Sequence, residues 1–338
     1  REGITAADAE VAEMLRRSRK PVVLGVNKVD HIKYADSVYD FYELGIGAPV
    51  ALSAEQGLGI GDLLDEVVSY FEKNPEDEHP EVTNIAVVGK PNVGKSSLVN
   101  ALLGQERTIV SDIAGTTRDA IDTPFTYGGR DYMLVDTAGI RRKRAIEDES
   151  IERYSVIRSL GAIRRADVVL IVIDAAEGLS EQDVRIAGYV HEEGKASVLI
   201  VNKWDLIEKD THTMNEFKKK LSADLAFMDY VPMLFISALS GQRVGKVMQQ
   251  ADFAYAQNCL RVSTGTLNDI VSEAVMVTEP PSDKGRRLKI YYATQVSVKP
   301  PTFVLFVNEP ELMHFSYKRY MENYIRKSFG LTATPIRL

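Results

Sequence analysis

Cysteine is almost missing from this chain. The single residue, Cys259, excludes an internal disulfide and cannot build a thiolate zinc site. Histidine is sparse as well: His31, His79, His191, His212 and His314 lie far apart, without the close spacing of metal ligands. No His–Asn/Asp grouping marks Cys259 as a nucleophile. No apolar run approaches the roughly 18 residues of a membrane span, and no signal peptide is legible. The natural expectation is a cytoplasmic protein. No Met opens the chain, so a fragment or a lost beginning is expected. What is present is ordinary for a folded protein: 338 residues with 45% apolar content, enough for two or three domains with sizeable cores.

The most informative stretch is Gly89-Lys90-Pro91-Asn92-Val93-Gly94-Lys95-Ser96. It has the P-loop form G-x-x-x-x-G-K-S. The apolar run Ile85-Ala86-Val87-Val88 precedes it and a helix-like run from Ser97 to Leu103 follows, which is the strand–loop–helix context the motif requires. In such a loop, backbone N–H groups and a helix N-terminus converge on phosphate oxygens. Asn92, Val93, Gly94, Lys95, Ser96 and Ser97 are the candidate phosphate contacts. Lys95 would reach the β- and γ-phosphates and Ser96 would ligate Mg²⁺.

A second motif names the base. Asn202-Lys203-Trp204-Asp205 follows the apolar run Val198-Leu199-Ile200-Val201. The Asp205 carboxylate can accept from both the ring N–H and the exocyclic amine of guanine, whereas adenine would leave it unpaired. Ser237-Ala238-Leu239 supplies a backbone N–H for the guanine carbonyl. Asp136-Thr137-Ala138-Gly139 closes another apolar run. There Asp136 would hold Mg²⁺ through water and the Gly139 N–H would sense the γ-phosphate. Together these motifs define a GTPase, an α/β fold with a doubly wound, mostly parallel sheet.

The chain also repeats itself. Asn27-Lys28-Val29-Asp30 matches Asn202-Lys203-Trp204-Asp205, Asp8 matches Asp183, and Glu2-Gly3 matches Glu177-Gly178, all at an offset of 175. Ser53-Ala54 matches Ser237-Ala238. Residues 1–75 therefore read as the C-terminal half of another GTPase domain. Its P-loop would lie about 86 positions before residue 1 at the same offset. Asn27, Lys28, Asp30, Ser53 and Ala54 are the remnant of its guanine-reading edge. Half a parallel sheet is expected to need its missing strands or a partner surface. Residues 76–83 read as an acidic linker, 84–255 as a complete second GTPase domain, and 256–338 as a small C-terminal domain.

Tandem GTPase domains followed by a small tail resemble the EngA (Der) family of bacterial ribosome-assembly GTPases. The resemblance rests on the P-loop, Asp112-Ile113-Ala114-Gly115-Thr116-Thr117-Arg118-Asp119, Asp136-Thr137-Ala138-Gly139-Ile140, Asn202-Lys203-Trp204-Asp205, and the tail stretches 288–295 and 310–317. It implies a KH-like α+β tail and a switch, expected to be a monomer, that binds GTP or GDP and acts with rRNA on the large ribosomal subunit. An alternative is the GTPase component of a tRNA-modification system. Such proteins usually carry a C-terminal cysteine and one GTPase domain, and this chain fits neither. A constitutive RNA-binding scaffold is the third reading; the complete second site argues against it.

Charge is distributed to suit an RNA partner. The chain carries −7 overall, yet residues 256–338 hold eleven Lys/Arg against seven Asp/Glu. The tail has no G-x-x-G clamp of the usual KH type. The preferred reading docks it on a GTPase domain and offers Arg286, Arg287 and Lys289 to an RNA backbone; a plain solvated surface is the alternative. Within the tail, 279–287 reads as a loop, 288–298 and 302–307 as strands, and 267–275 and 313–329 as helices. The last has Phe315, Tyr320, Tyr324 and Ile325 on its apolar face.

For hydrolysis, Ile140 stands where Ras-like enzymes place a water-orienting Gln. GTPases that resemble this chain can instead bind K⁺ through a P-loop Asn, here Asn92; the other reading is that Asn92 only shapes the loop. Lys95, Thr117 and Gly139 are the candidate catalytic residues. Thr117 is the Mg²⁺ ligand from switch I, with Thr116 its near alternative, and Arg118 and Arg141 remain open as cis arginine fingers. Arg141-Arg142-Lys143-Arg144 would lie in switch II, as an RNA contact or as a solvated loop. Trp204 either packs beside the base or belongs to the core.

Overall fold

Four runs of β-branched and other apolar residues form the interior of one sheet. Strands β3 (Thr83–Val88), β5 (Arg130–Val135), β6 (Val168–Asp174) and β7 (Ala196–Asn202) are parallel, with β4 (Thr123–Tyr127) antiparallel at one edge and β8 (Met233–Phe235) parallel at the other. Their spatial order is β4-β5-β3-β6-β7-β8. The computed structural model describes residues 3–18, 20–30, 36–71, 82–104, 122–136, 159–283 and 285–338. Both faces of the sheet are covered, so its strands are continuous apolar runs rather than alternating ones. Val168, Leu170 and Val172 point to the face packed by helices α3 (Lys95–Leu103) and α6 (Gly245–Asn258). Val169, Ile171 and Ile173 point to the face of α4 (Glu181–Glu192) and α5 (Thr213–Asp224). Strand order reverses about β3, and the crevice beyond the strand ends at such a switch point is where α/β folds bind ligands.

The N-terminal segment copies the second half of this unit. Helix α1 (Ala6–Arg17) is followed by β1 (Leu24–Val26), a 3-10 segment (Asp36–Leu44), β2 (Pro49–Ala51) and α2 (Ile60–Ser69). Strands β1 and β2 pair in parallel, as β7 and β8 do. The copy extends to local chemistry. Thr5 and Asp8 form a capping box on α1, and Ser180 and Asp183 form the same box on α4. Lys28 and Lys203 both adopt left-handed backbone, at φ 68° and 60°.

Burial is what the copy lacks. Strand β7 is buried throughout, whereas β1 keeps only Val26 buried. Val11 is 48% exposed where its counterpart Ile186 is 6%, and Leu64 is 55% exposed where Met248 is 0%. The partner surface expected from the sequence is supplied in part by the tail: α2 packs on helix α7 (Thr264–Val277). Gly61 makes that approach possible, because a Cβ there would meet Thr264 Cγ2 at 2.1 Å and the Tyr292 hydroxyl at 2.2 Å. Thr264 Oγ1 donates to Asp65 Oδ2 at 3.2 Å beside the contact.

The tail continues with β9 (Ser282–Asp283), β10 (Arg286–Arg287), β11 (Ile290–Ser297), β12 (Thr302–Val307) and helix α8 (Phe315–Phe329). The stretch expected to be a plain loop, 279–287, contains the small antiparallel ladder β9/β10. The apolar face of α8 also differs from expectation. Tyr317, Met321 and Ile325 are buried, at a strict spacing of four, while Phe315 is 72% exposed. Packing selects one helical stripe, and Phe315 at the first turn lies off it.

Residues 331–337 stitch the tail to the large sheet. The Ala333 N–H donates to Tyr230 O at 2.9 Å, and Ser197 N–H donates to Ala333 O at 2.8 Å. Buried Thr334 donates through Oγ1 to Asn258 Oδ1 at 2.8 Å. The Arg326 guanidinium lies 4.4 Å from the centre of the Tyr230 ring, a cation–π contact, and donates to Leu331 O and Thr334 O. His191 closes this seam, with Nδ1 2.9 Å from the Tyr230 hydroxyl. Burial, and secondarily the Arg326 charge, holds its imidazole below the ordinary value of 6.5, against a smaller opposing effect of Glu192.

A folded His pKa below the unfolded one means that the unfolded chain binds more protons in that window. Stability is then full above the unfolded value and is lost as pH falls through about 6.5 toward the lower folded value. His191→Gln, which keeps a polar partner for Tyr230, should flatten the dependence of the urea midpoint on pH between about 7 and 5. An unchanged slope would remove His191 from the acid sensitivity of this seam.

Candidate nucleotide site

The C-terminal ends of β3, β5, β6 and β7 open on one crevice, and the P-loop spans its floor. Val93 is fully buried in the core beneath α3 and anchors the loop from below. Gly94 sits at φ 96°, and a Cβ there would meet Asn202 Nδ2 at 2.2 Å, so no other residue fits. The N-cap of helix α3 is Gly94, which has no side chain to bond the first turn. The helix begins at the crevice and directs the positive end of its dipole there. Lys95 Nζ donates to Gly89 O at 2.7 Å and Lys90 O at 2.5 Å. Ser96, Ser97 and Asn92 are exposed at the same mouth. Asn92 lies at φ 64°, a region that Asn tolerates better than most residues, which by itself accounts for an Asn there.

Asn202 joins this loop to the loop after β8. It is 2% exposed. Its Nδ2 donates to Val93 O at 2.8 Å, and its Oδ1 accepts from the Ala238 N–H at 2.9 Å. Ser237 is buried and accepts the Ser240 N–H through Oγ at 3.1 Å, which shapes the turn beneath Ala238 and the exposed Leu239. Asp205 is exposed at the rim. Of the two readings open for Trp204, its burial supports the core: it packs against Phe217 and Phe235, edge-on, at centroid distances of 5.1 and 4.5 Å. Its ring is core, and it aims the adjacent Asp205 outward.

Two carboxylates escaped the sequence reading. Asp174, at the end of β6, pairs with Lys203 Nζ at 2.5 Å and accepts the Ala176 N–H at 2.9 Å. Burial alone would raise its pKa; the Lys203 ammonium and the Ala176 N–H outweigh that and hold the carboxyl below its usual range. An acid closing an all-apolar strand was the available signal. Asp122 accepts the Asp136 N–H through Oδ1 at 2.9 Å and forms an ion pair with Arg165. It fixes Asp136 at φ 58°. Nothing in the local sequence around Asp122 announces this role. Thr116, Thr117, Arg118, Thr137, Ala138, Gly139, Ile140 and the cations of 141–144 lie outside the described residues.

The N-terminal copy keeps half of the same device. The Ala54 N–H donates to Asn27 Oδ1 at 2.9 Å, as Ala238 does to Asn202, and Lys28 N–H adds a second bond at 2.8 Å. Ser53 Oγ donates to Asp30 Oδ1 at 2.7 Å. Among the described residues Asn27 has no counterpart to the Val93 bond, and it is exposed. No group of three or more His, Cys, Asp and Glu side chains able to hold a metal occurs among the described residues. None of the described helices is long and apolar enough to cross a membrane.

Known proteins resemble this chain over its whole length. Residues 84–203 match a family profile described as 50S ribosome-binding GTPase, and residues 261–338 match the KH-domain-like C-terminal domain of EngA bacterial GTPase enzymes. The chain is 58% identical over 340 residues to the GTPase Der of Alkaliphilus oremlandii (strain OhILAs), covering 100% of this chain and 77% of that protein. It is 59% identical over 338 residues to the GTPase Der of Alkaliphilus metalliredigens (strain QYMF), with the same coverage. The GTPase Der of Desulfitobacterium hafniense (strain DSM 10664 / DCB-2) is 59% identical over 335 residues, covering 99% and 76%. Among solved structures, that of Era in complex with MgGDPNP and nucleotides 1506–1542 of 16S ribosomal RNA covers 77% of this chain and 92% of its own, at a TM-score of 0.40 and 22% identity.

The two asparagines can be compared directly. Asn202→Ala strands a buried carbonyl and a buried N–H and should cost on the order of 2 kcal/mol in urea unfolding. Asn27→Ala exposes its partner to water and should cost well under half of that. Equal costs would show that Asn202 does not bridge the loops in solution.

Proposed function

Since this chain belongs to the EngA (Der) family of GTPases, we propose that it is a GTP-driven switch in the maturation of the large ribosomal subunit. It binds guanine nucleotide and hydrolyses GTP, as its family does. The observation that best supports the switch reading is the Asn202 bridge, which holds the phosphate loop and the guanine-reading loop in one rigid frame. Lys95 and the N–H groups of residues 92–97 would take the phosphates, Asp205 the guanine edge, and Lys203 and the loop 237–239 the walls of the base pocket. The remnant Asn27, Lys28, Asp30, Ser53 and Ala54 would read guanine in the other domain in the same way.

The donor set suits Mg²⁺. Ser96 would supply a hydroxyl and Asp136 a carboxylate, and Thr117, which lies outside the described residues, would add a third oxygen; hard cations prefer such ligands. When bound, the ion neutralises charge on the phosphates. Asn92, exposed beside Lys95, would add a K⁺ site where other GTPases use an arginine. Lys95, Thr117 and the Gly139 N–H would then stabilise the transferring phosphoryl group.

The family profile named for 50S ribosome binding supports the large subunit as the partner. Arg286 and Arg287 are paired with Glu309 and Glu279 at 2.8 and 3.3 Å, but all four side chains reach solvent. Exposed pairs of this kind hold little free energy, so an RNA phosphate can replace the carboxylate. We divide the chain into the half-domain 1–75, the linker 76–83, the GTPase domain 84–255 and the KH-like domain 256–338, acting as a cytoplasmic monomer. The tRNA-modification reading has no support from the relatives.

The complete protein should co-sediment with isolated large subunits in the presence of a non-hydrolysable GTP analogue and not with GDP at physiological salt; equal or absent binding in both states would remove the ribosome from this reading. Charge reversal at Arg286, Arg287 and Lys289 should weaken that binding and flatten its salt dependence. Turnover should be faster in K⁺ than in Na⁺, and Asn92→Ala should erase the difference. Equal rates in the two salts for the unmodified chain would refute the K⁺ site.

A further inference from the structure

One charged residue of the P-loop faces away from the crevice. Lys90 is mostly buried, and its Nζ lies 2.8 Å from Glu177 Oε2 and 3.6 Å from Asp183 Oδ2. Asp183 is 1% exposed. Its Oδ2 accepts the Ser180 N–H at 3.0 Å and the Ser180 hydroxyl at 2.6 Å, while its Oδ1 has no hydrogen-bond partner among the described residues. A carboxylate this deeply buried is costly unless a cation stands next to it. In the N-terminal copy the matching Asp8 caps its helix in the same way but is exposed, and needs none. In the complete unit the required cation comes from the P-loop.

The backbone of the same residue turns the other way. The Lys90 carbonyl accepts from Lys95 Nζ at 2.5 Å. Lys90 therefore stands between the ammonium aimed at phosphate and the start of α4. The loop between β3 and α3 is tied at two points: at Lys90 through its side chain, and at Val93 through its buried side chain and the Asn202 bond. Only Pro91 and Asn92, both exposed, lie between the ties. A loop tied at both ends loses less freedom when a ligand orders it.

We propose that Lys90 is a positioning residue for the phosphates: its pairing with Glu177 and Asp183 holds the loop amides in the arrangement that receives them. This rests on residues 89–96 being the phosphate site. The raised pKa of Lys90, caused first by its hydrogen bond to Glu177, keeps the ammonium charged throughout the useful pH range.

The test compares a ligand with phosphates and one without. Lys90→Met keeps the length of the side chain and removes the charge. In the 338-residue chain it should weaken GDP about tenfold, or about 1.4 kcal/mol, and leave guanosine affinity unchanged. Lys90→Arg should retain most of the GDP affinity. Glu177→Gln, a milder change at a half-exposed partner, should weaken GDP about threefold without threatening the fold. The double variant Lys90→Glu with Glu177→Lys should bind GDP better than Lys90→Glu alone. A proportionate loss of GDP and guanosine would mean general destabilisation and overturn the inference. Wild-type GDP affinity in both Lys90→Met and Glu177→Gln would overturn it too, leaving the phosphate site intact. GDP bound by neither the variants nor the unmodified chain would remove the phosphate site itself, and this inference with it.

Discussion

A single carboxamide holds the nucleotide site together. Asn202 presents N–H donors and a carbonyl acceptor on the same planar group, and the two atoms bond different loops. The donor satisfies a P-loop carbonyl and the acceptor satisfies the N–H of Ala238. Both partners are shielded from water, so neither has an alternative. The two loops lie more than a hundred residues apart in sequence, yet this one side chain ties them together. Gly94 is a consequence of it, since any side chain there would occupy the place of the Asn202 amide. The place of Asp205 is another, because the strand that ends in Asn202 also delivers this carboxylate, proposed to read the base, to the rim.

Much of this was legible in the sequence because the motifs act over short stretches of chain. The P-loop needs its glycines, lysine and serine at fixed spacing, and the guanine motif must follow an apolar strand. The internal repeat was legible for the same reason, down to the helix caps at Thr5 and Ser180. What stayed hidden was the set of partners brought in by folding. Asp174 meets Lys203, and Asp122 meets Asp136, only once separate strands lie in one sheet. Lys90 fills an unspecified position of G-x-x-x-x-G-K-S, and its pairing depends on Asp183 being buried 93 positions later. Among the aromatic residues, Phe315 is expected on the apolar face of its helix and is exposed, while the two readings open for Trp204 are separated only by Phe217 and Phe235 closing around it.

The N-terminal copy shows what a pattern alone does not supply. It has the same caps, the same left-handed lysine and the same Asn–Ala bond as its complete counterpart, and still leaves Val11 and Leu64 in water. Local chemistry reproduces the elements; burying them requires a second surface. The tail provides part of one, and the contact is close enough that only glycine fits at position 61. The tail thus touches both GTPase-like parts of the chain, packing α7 against one and its last residues against the other.

The position of that second attachment separates two tasks. Ala333 bonds beside Ser197 at the start of β7 and to Tyr230 ahead of β8, and Lys299 approaches Asp167 ahead of β6. Asp174, Asn202 and Asp136 stand at the far ends of the same sheet, about 20 Å away along a seven-residue strand. The joint of the tail and the crevice therefore lie at opposite poles of one sheet, and the joint uses none of Asp174, Asn202 or Asp136. A molecule built this way carries its tail as a fixed handle set a full strand's length from the crevice.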